Sequence, residues 1–184
     1  MICFVDMDGV LVDFVVGIEK YYGIDLTEIL KKGDWDFVKY LSIPKKLFWN
    51  GLSEEFWAKL PWTNFGEDLI DIVEERFGVE NVCLFSTPTL SPNSLSGKYR
   101  WILKYLPQYK RRFLLGPPKS FCAHGKSLLI DDRDVNIDLF RKAGGVGILV
   151  PTKNNRLKED SDNPLKHIVD QLDQYNFMPG KFNV

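Results

Sequence analysis

The sequence predicts an α/β fold: a doubly wound parallel sheet flanked by helices, with a small helical cap inserted after the first strand. Three observations lead there. Short runs of apolar, β-branched and aromatic residues alternate with longer segments whose apolar residues recur at helical spacing, the pattern of strand–helix–strand units. Three of those runs end abruptly in polar residues, at Asp6/Asp8, Ser86/Thr87 and Asp131/Asp132. Residues 24–64, by contrast, hold Trp35, Phe37, Phe48, Trp49, Phe56, Trp57 and Trp62 among lysines, in short amphipathic pieces without strand alternation. The expected organisation is a core domain of residues 1–14 and 65–184 and a cap of residues 15–64.

The first strand, Ile2–Val5, is apolar throughout, and Gly9 follows its two acids where the chain leaves the sheet and must turn. Residues 12–22 read as a helix, with Phe14, Ile18 and Tyr21 or Tyr22 on one face and Gly23 as its stop. Within the cap, residues 25–30, 42–50 and 53–60 read as short helices, the last behind a Ser53 cap. Residues 67–77 carry Leu69, Ile70, Val73 and Phe77 at helical spacing before Gly78, and residues 82–85 form the second strand. A loop rich in Ser, Pro and Asn should lead into a helix over 97–106, with Trp101, Ile102 and Tyr105 facing inward. Residues 112–115 are the third strand, 116–119 a turn and 127–130 the fourth strand. A helix over 135–143, ended by Gly144 and Gly145, leads to a last strand at 146–150. Residues 164–175 read as a surface helix, and the final few residues as frayed.

With 184 residues, 45% of them hydrophobic and 27% charged, the chain has the composition of an ordinary globular protein with one sizeable core. A net charge of -1 gives no basis for gripping long nucleic acid. No apolar run approaches the ~20 residues of a membrane span. A strand that starts at Ile2 leaves no room for a presequence, so a cytoplasmic location without membrane contact is expected. Cys3, Cys83 and Cys122 lack any CxxC spacing, which fits free thiols in a reducing compartment. His124 and His167 are too few for a multi-histidine metal site.

In a parallel sheet the three polar strand ends share one edge, where open α/β sheets bind ligands. That edge gathers the carboxylates of Asp6, Asp8, Asp131 and Asp132 and the hydroxyls of Ser86 and Thr87, with Lys98, Lys119 and Lys126 in connections that reach it. Crowded carboxylates repel, and a divalent cation with oxygen ligands relieves that repulsion. Hydroxyl and ammonium groups suit the oxygens of a phosphate. An Asp-x-Asp-Gly run can also open a calcium loop, but here the later ligand positions fail and a strand rather than a helix precedes it.

The run Asp6-Met-Asp-Gly-Val-Leu-Val-Asp-Phe14 resembles the nucleophile motif of the haloacid dehalogenase (HAD) superfamily of phosphotransferases, and the remaining motifs follow in order. Leu84-Phe85-Ser86 is similar to the second, a Lys before the last acidic run to the third, and Leu128-Leu-Ile-Asp-Asp132 to the fourth. With Ser86-Thr-Pro88, Lys98-Tyr-Arg-Trp101 and Ile130-Asp-Asp-Arg133, the chain most resembles the 5'(3')-deoxyribonucleotidases. The likeness spans the core and is poor over residues 24–64.

The resemblance implies a Rossmann-like, HAD-type core and a Mg²⁺-dependent phosphatase of the 5'-nucleotidase kind. Asp6 would be the nucleophile that becomes an aspartyl-phosphate, and Asp8 the acid and then the base. Mg²⁺ would be held by Asp6, the backbone carbonyl of Asp8 and Asp132, with Asp131 as a further ligand or just behind them. Ser86 and Thr87 would take the phosphate, Lys119 is the best match for the phosphate lysine, Lys98 would support it, and Lys126 reads as a solvated turn residue. Phe14 and Trp35 would wall the base of a deoxynucleoside monophosphate, and a homodimer is compatible with this reading. The same pattern admits a phosphatase for another small phosphate, such as a sugar phosphate, or a nucleotide-binding module without turnover. A dehalogenase, which has no use for Asp8 or a metal, fits less well.

Overall fold

The computed structural model describes residues 1–30 and 36–175. The expected base-wall residue Trp35 therefore lies outside the described residues. Five parallel strands, β1 (Ile2–Val5), β2 (Val82–Ser86), β3 (Phe113–Leu115), β4 (Ser127–Asp131) and β5 (Val146–Leu149), lie in the order β3-β2-β1-β4-β5. The chain steps outward from β1 through β2 to β3, then crosses back to place β4 on the other side of β1. The order reverses between β1 and β4, where Val5 pairs with Ile130. A crevice opens outside the carboxyl ends of strands at such a reversal, and here those ends carry Asp6 and Asp131.

Both faces of the sheet are buried, as a parallel sheet with helices on each side requires. The two-residue period of the strands divides them cleanly. Val5, Leu84, Leu128, Ile130 and Ile148 join one apolar cluster, and Phe4, Phe85, Leu129 and Leu149 join another with Ile137 and Phe140. The first cluster continues without a break into the helical segment, through Phe48, Phe56 and Trp57.

Helix α1 (Phe14–Tyr22) starts where Asp13 accepts from the Val16 N–H, and it ends at Gly23 in the left-handed conformation, φ 65°. The helical segment contributes α2 (Thr27–Leu30), α3 (Lys45–Gly51) and α4 (Glu54–Ala58), and Ser53 caps α4 by accepting from the Phe56 N–H. A 3₁₀ turn, Phe37–Tyr40, occupies a stretch for which the sequence suggested no element. Helix α5 (Gly66–Phe77) closes at Gly78 as expected.

Helix α6 (Pro92–Tyr105) begins five residues earlier than the apolar spacing predicted. Its first turn is polar, so periodicity is silent there, but Pro92 stands at a position where a helix needs no backbone donor. Helix α7 (Asp134–Lys142) follows β4, and α8 (Pro164–Gln174) follows β5. Helix α8 is the expected surface helix, with Ile168 and Leu172 fully buried on its inner face. Among the described residues, no helix is long and apolar enough to cross a membrane.

Helix α4 is seated directly on α6. Gly97 makes this approach feasible: a Cβ there would lie 2.4 Å from Trp57 Cβ and 2.5 Å from the Glu54 carbonyl oxygen. Trp101 Nε1 donates to the Leu60 carbonyl at 2.9 Å, and Arg100 pairs with Glu54 at 2.8 Å on the outside of the same contact. Replacing Gly97 with Val should force α4 off α6 and cost about 1–3 kcal/mol, the usual penalty for overpacking. Urea denaturation measures this, and an unchanged midpoint would mean that α4 is not held against α6.

Candidate active site

Asp6 is the first residue beyond β1, and its N–H still donates to the Ile130 carbonyl at 2.9 Å, in register with β4. The chain then folds back on itself. The N–H groups of Val10, Leu11 and Val12 all donate to the Met7 carbonyl, at 3.3, 2.9 and 2.8 Å, and Gly9 N–H donates to the Val12 carbonyl at 2.8 Å. Thr63 Oγ1 donates to the Val10 carbonyl at 2.7 Å and ties the turn to the chain ahead of α5. Gly9 sits at φ 77°, and a Cβ there would lie 2.1 Å from Asp132 Oδ2. The turn thus lays bare backbone against a carboxylate, for which only glycine has room.

Asp6, Asp131 and Asp132 are buried, and one carboxylate oxygen from each lies within 4.8 Å of the others. Lys119, also buried, opens a 3₁₀ turn (Lys119–Cys122) and places its ammonium 2.6 Å from Asp6 Oδ1 and in hydrogen-bond contact with Asp131 Oδ2. Asp131 has both oxygens engaged: the Arg133 N–H donates to Oδ1 at 2.8 Å, and Asn136 Nδ2 donates to Oδ1 and Oδ2 at 3.1 and 3.0 Å. Asp132 differs. Among the described residues no donor reaches its carboxylate, while Asn155 Nδ2 donates to its backbone carbonyl at 2.8 Å and holds it in place. Asp8, with its side chain one-third exposed, pairs with Lys98 at 2.5 Å.

Four carboxylates thus face two ammonium groups, so full ionisation would leave two uncompensated negative charges at a largely buried point. Burial pushes the Asp6 carboxyl up to about 7; Lys119 pulls against this, while Asp131 and Asp8 push further. Asp132 is raised well above the usual carboxylate range, first by burial and then by Asp6 and Asp131. For Lys119 burial pulls downward, but Asp6 and Asp131 outweigh it and raise its pKa overall. An unpaired buried carboxylate among oxygen donors, with surplus negative charge around it, suits a hard divalent cation.

Asp6, Asp8, Lys119 and Asp132 form part of the lining of a cavity of about 860 Å³. Phe14, Trp49 and Trp57 also line it, as does Thr87. The Phe14 ring lies nearly parallel to those of Trp49 and Trp57, at centroid distances of 5.9 and 5.5 Å. Ser86 is fully buried at the end of β2, and its Oγ has no hydrogen-bond partner among the described residues. Lys98 is also buried, but it reaches Asp8 from outside the cavity lining. Lys126 is exposed in a turn.

Sequence reasoning missed Asn136, Asn155, Trp49 and Trp57. Asn136 carried a usable signal, since it lies five residues beyond Asp131, within reach of a carboxylate that precedes a helix. Asn155 carried none, being one of several polar residues after Pro151.

No protein-family model matches the chain, and no curated protein matches it. Among solved structures it is similar to the HAD family enzyme BT-2542 from Bacteroides thetaiotaomicron in its magnesium complex, at 15% identity and a TM-score of 0.46, covering 86% of this chain and 96% of that one. The same enzyme with magnesium and inorganic phosphate is 14% identical at a TM-score of 0.44, over 85% of this chain and 96% of that one. The UTR4 protein of Saccharomyces cerevisiae is 11% identical at a TM-score of 0.45, over 80% and 89% of the two chains. These are distant likenesses, and the doubly wound parallel fold rests on the strand order and register described above.

The surplus charge has a measurable consequence. Asp6 and Asp132 bind protons more tightly in the folded chain than in the unfolded one, where aspartate titrates near 3.8. Between pH of about 4 and 7 the native state therefore holds more protons, and stability falls as pH rises through that window when no divalent cation is present. Asp132→Asn should raise the melting temperature in chelator at pH 8 by about 2–4 °C per kcal/mol relieved, with the gain shrinking towards pH 4. Thermal melts across pH test this, and a lower melting temperature for the variant at pH 8 would contradict it.

Proposed function

We propose that the chain is a Mg²⁺-dependent phosphomonoesterase of the HAD type, working through an aspartyl-phosphate on Asp6. The observation that carries this reading is the buried Asp6 carboxylate, 2.6 Å from the Lys119 ammonium, lining a large cavity together with Asp8 and Asp132. A pure binding site for phosphate would gain nothing from three carboxylates facing its anion.

The oxygen-only donor set fits magnesium. Asp6, Asp132 and the backbone carbonyl of Asp8 would hold it, whereas Asp131, with both oxygens already engaged, orients Lys119 from behind. When bound, Mg²⁺ supplies the positive charge that keeps Asp6 ionised and screens it from the approaching phosphate.

Asp6 attacks phosphorus in line with the ester bond. The bond to the leaving oxygen breaks as the bond to the Asp6 carboxylate forms, and Asp8, entering this step in its acid form, gives its proton to the departing alcohol and is left as the carboxylate that pairs with Lys98. Water then attacks the same phosphorus, gives its proton to Asp8, and returns Asp6 as a free carboxylate with inorganic phosphate as product. Lys119 places one positive charge beside the nucleophile, while Ser86, fully buried with an unpartnered hydroxyl, lies outside the cavity lining. Phosphate oxygens are the natural ligands for Thr87 in the cavity lining.

The finer reading is a deoxynucleoside monophosphate as substrate. It is supported by the volume beyond the phosphate end of the cavity and by the aromatic wall of Phe14, Trp49 and Trp57, since flat bases bind on aromatic faces. Residues 15–64 then act as a cap that supplies Trp49 and Trp57 of this wall while the sheet supplies the chemistry.

Asp6→Asn keeps the size of the side chain and removes its attacking oxygen. Phosphate release should fall to background while the melting temperature stays at or above that of the parent. Rapid quench with labelled substrate should trap phosphoenzyme only when Asp6 is present, and deoxynucleoside monophosphates should outcompete sugar phosphates. Parental activity in the variant would remove Asp6 from the mechanism.

A further inference from the structure

Lys98 belongs to helix α6 and is 1% exposed, which for a lysine demands a specific partner. Its ammonium lies 2.5 Å from Asp8 Oδ1, and its other charge-sensitive contact is the face of Trp57, 5.1 Å from the ring centroid. Trp57 reaches that place because Gly97, the residue before Lys98, leaves room for it against α6. The same indole also lines the cavity and lies near-parallel to Phe14. Lys98 thus touches two lining residues, Trp57 and Asp8, without itself lining the cavity, whereas Lys119 lines it.

We infer that Lys98 is a positioning residue for Asp8 and makes no contact with the phosphate. The inference rests on the phosphatase reading above and deepens it. An aspartate two residues beyond the nucleophile, one-third exposed and carried on a tight turn, has several rotamers open to it. The ion pair with Lys98 selects one of them. Trp57 in turn fixes the ammonium, so the geometry of the acid is set by the packing of the cap helix α4 on α6. A lysine that held the phosphate would face the cavity and would weaken every phosphate ligand on removal. A lysine that holds Asp8 matters in phosphoenzyme formation, the part that kcat/KM reports, only where the leaving group needs a proton, and it matters for every ester when Asp8 later takes the proton from water.

Esters with different leaving groups separate these roles. Lys98→Met keeps the length of the stem and leaves Asp8 with solvent. For a nucleoside monophosphate, whose alkoxide needs a proton, kcat/KM should fall roughly 10- to 100-fold, within the range that general acid catalysis supplies. For p-nitrophenyl phosphate, whose leaving group departs unprotonated, kcat/KM should change by less than about threefold, and inhibition by inorganic phosphate should stay the same. A crystal structure of the variant should show the Asp8 carboxylate moved from its present position. Should the methionine variant not fold, Lys98→Gln, which keeps a donor for Asp8 without the charge, is expected to show the same selectivity with a smaller loss. Equal losses on both esters, weaker inhibition by phosphate, or an unmoved Asp8 would overturn the inference while leaving the phosphatase reading in place. A parent protein that cleaves neither ester would overturn the phosphatase reading itself.

Discussion

Surplus negative charge buried at the reversal of the sheet is the constraint on which the rest of this structure depends. Asp6, Asp131 and Asp132 stand at the adjacent carboxyl ends of β1 and β4 with one ammonium, Lys119, between two of them. Removing carboxylates from water costs several kcal/mol each unless they are paired and hydrogen-bonded. Asp131 meets that requirement in full through Lys119, Asn136 and the Arg133 N–H. Asp132 does not, and it rests against the bare backbone of Gly9. A fold that saturates one buried carboxylate and leaves its neighbour open has kept oxygen ligands in reserve for a cation.

The neighbourhood is organised to hold that arrangement still. Three N–H groups converge on the Met7 carbonyl to shape the turn after Asp6, and Thr63 fastens the same turn from the far end of the helical segment. Asn155 links the Asp132 and Val150 carbonyls, at 2.8 Å each, so the loop after β5 braces the acid after β4. The helical segment shares one apolar cluster with the sheet. The position of Trp57 is consequently felt both at the cavity wall and, through Lys98, at Asp8.

Much of this was legible in the sequence because it depends on local rules. The two-residue period of the strands and the abrupt polar ends located Asp6, Ser86, Asp131 and Asp132, and strand–helix alternation placed them on one edge. Lys119 was preferred among three candidate lysines, and it lines the cavity, whereas Lys126 is exposed in a turn. What stayed hidden depends on packing. The partner of Lys98 lies 90 residues away and is set by how α6 meets α4, which no local pattern encodes. Trp49 on α3 and Trp57 on α4 both line the cavity, and Trp57 is brought there by the seating of α4 at Gly97, which no local pattern announces. The start of helix α6 stayed hidden for a different reason, its first turn being polar.

Under the proposed function, Asp6 accepts a phosphoryl group beside a cation held by Asp6 and Asp132. A crystal structure grown with magnesium and beryllium fluoride tests it most directly, because trifluoroberyllate adds to a carboxylate oxygen in the geometry of an acyl phosphate. The account predicts beryllium bonded to an Asp6 oxygen, a cation contacting Asp6 and Asp132, and Asp131 still bound to Lys119 and Asn136. Beryllium on Asp8 or Asp132, or a cation held by Asp131 in place of Asp132, would contradict it.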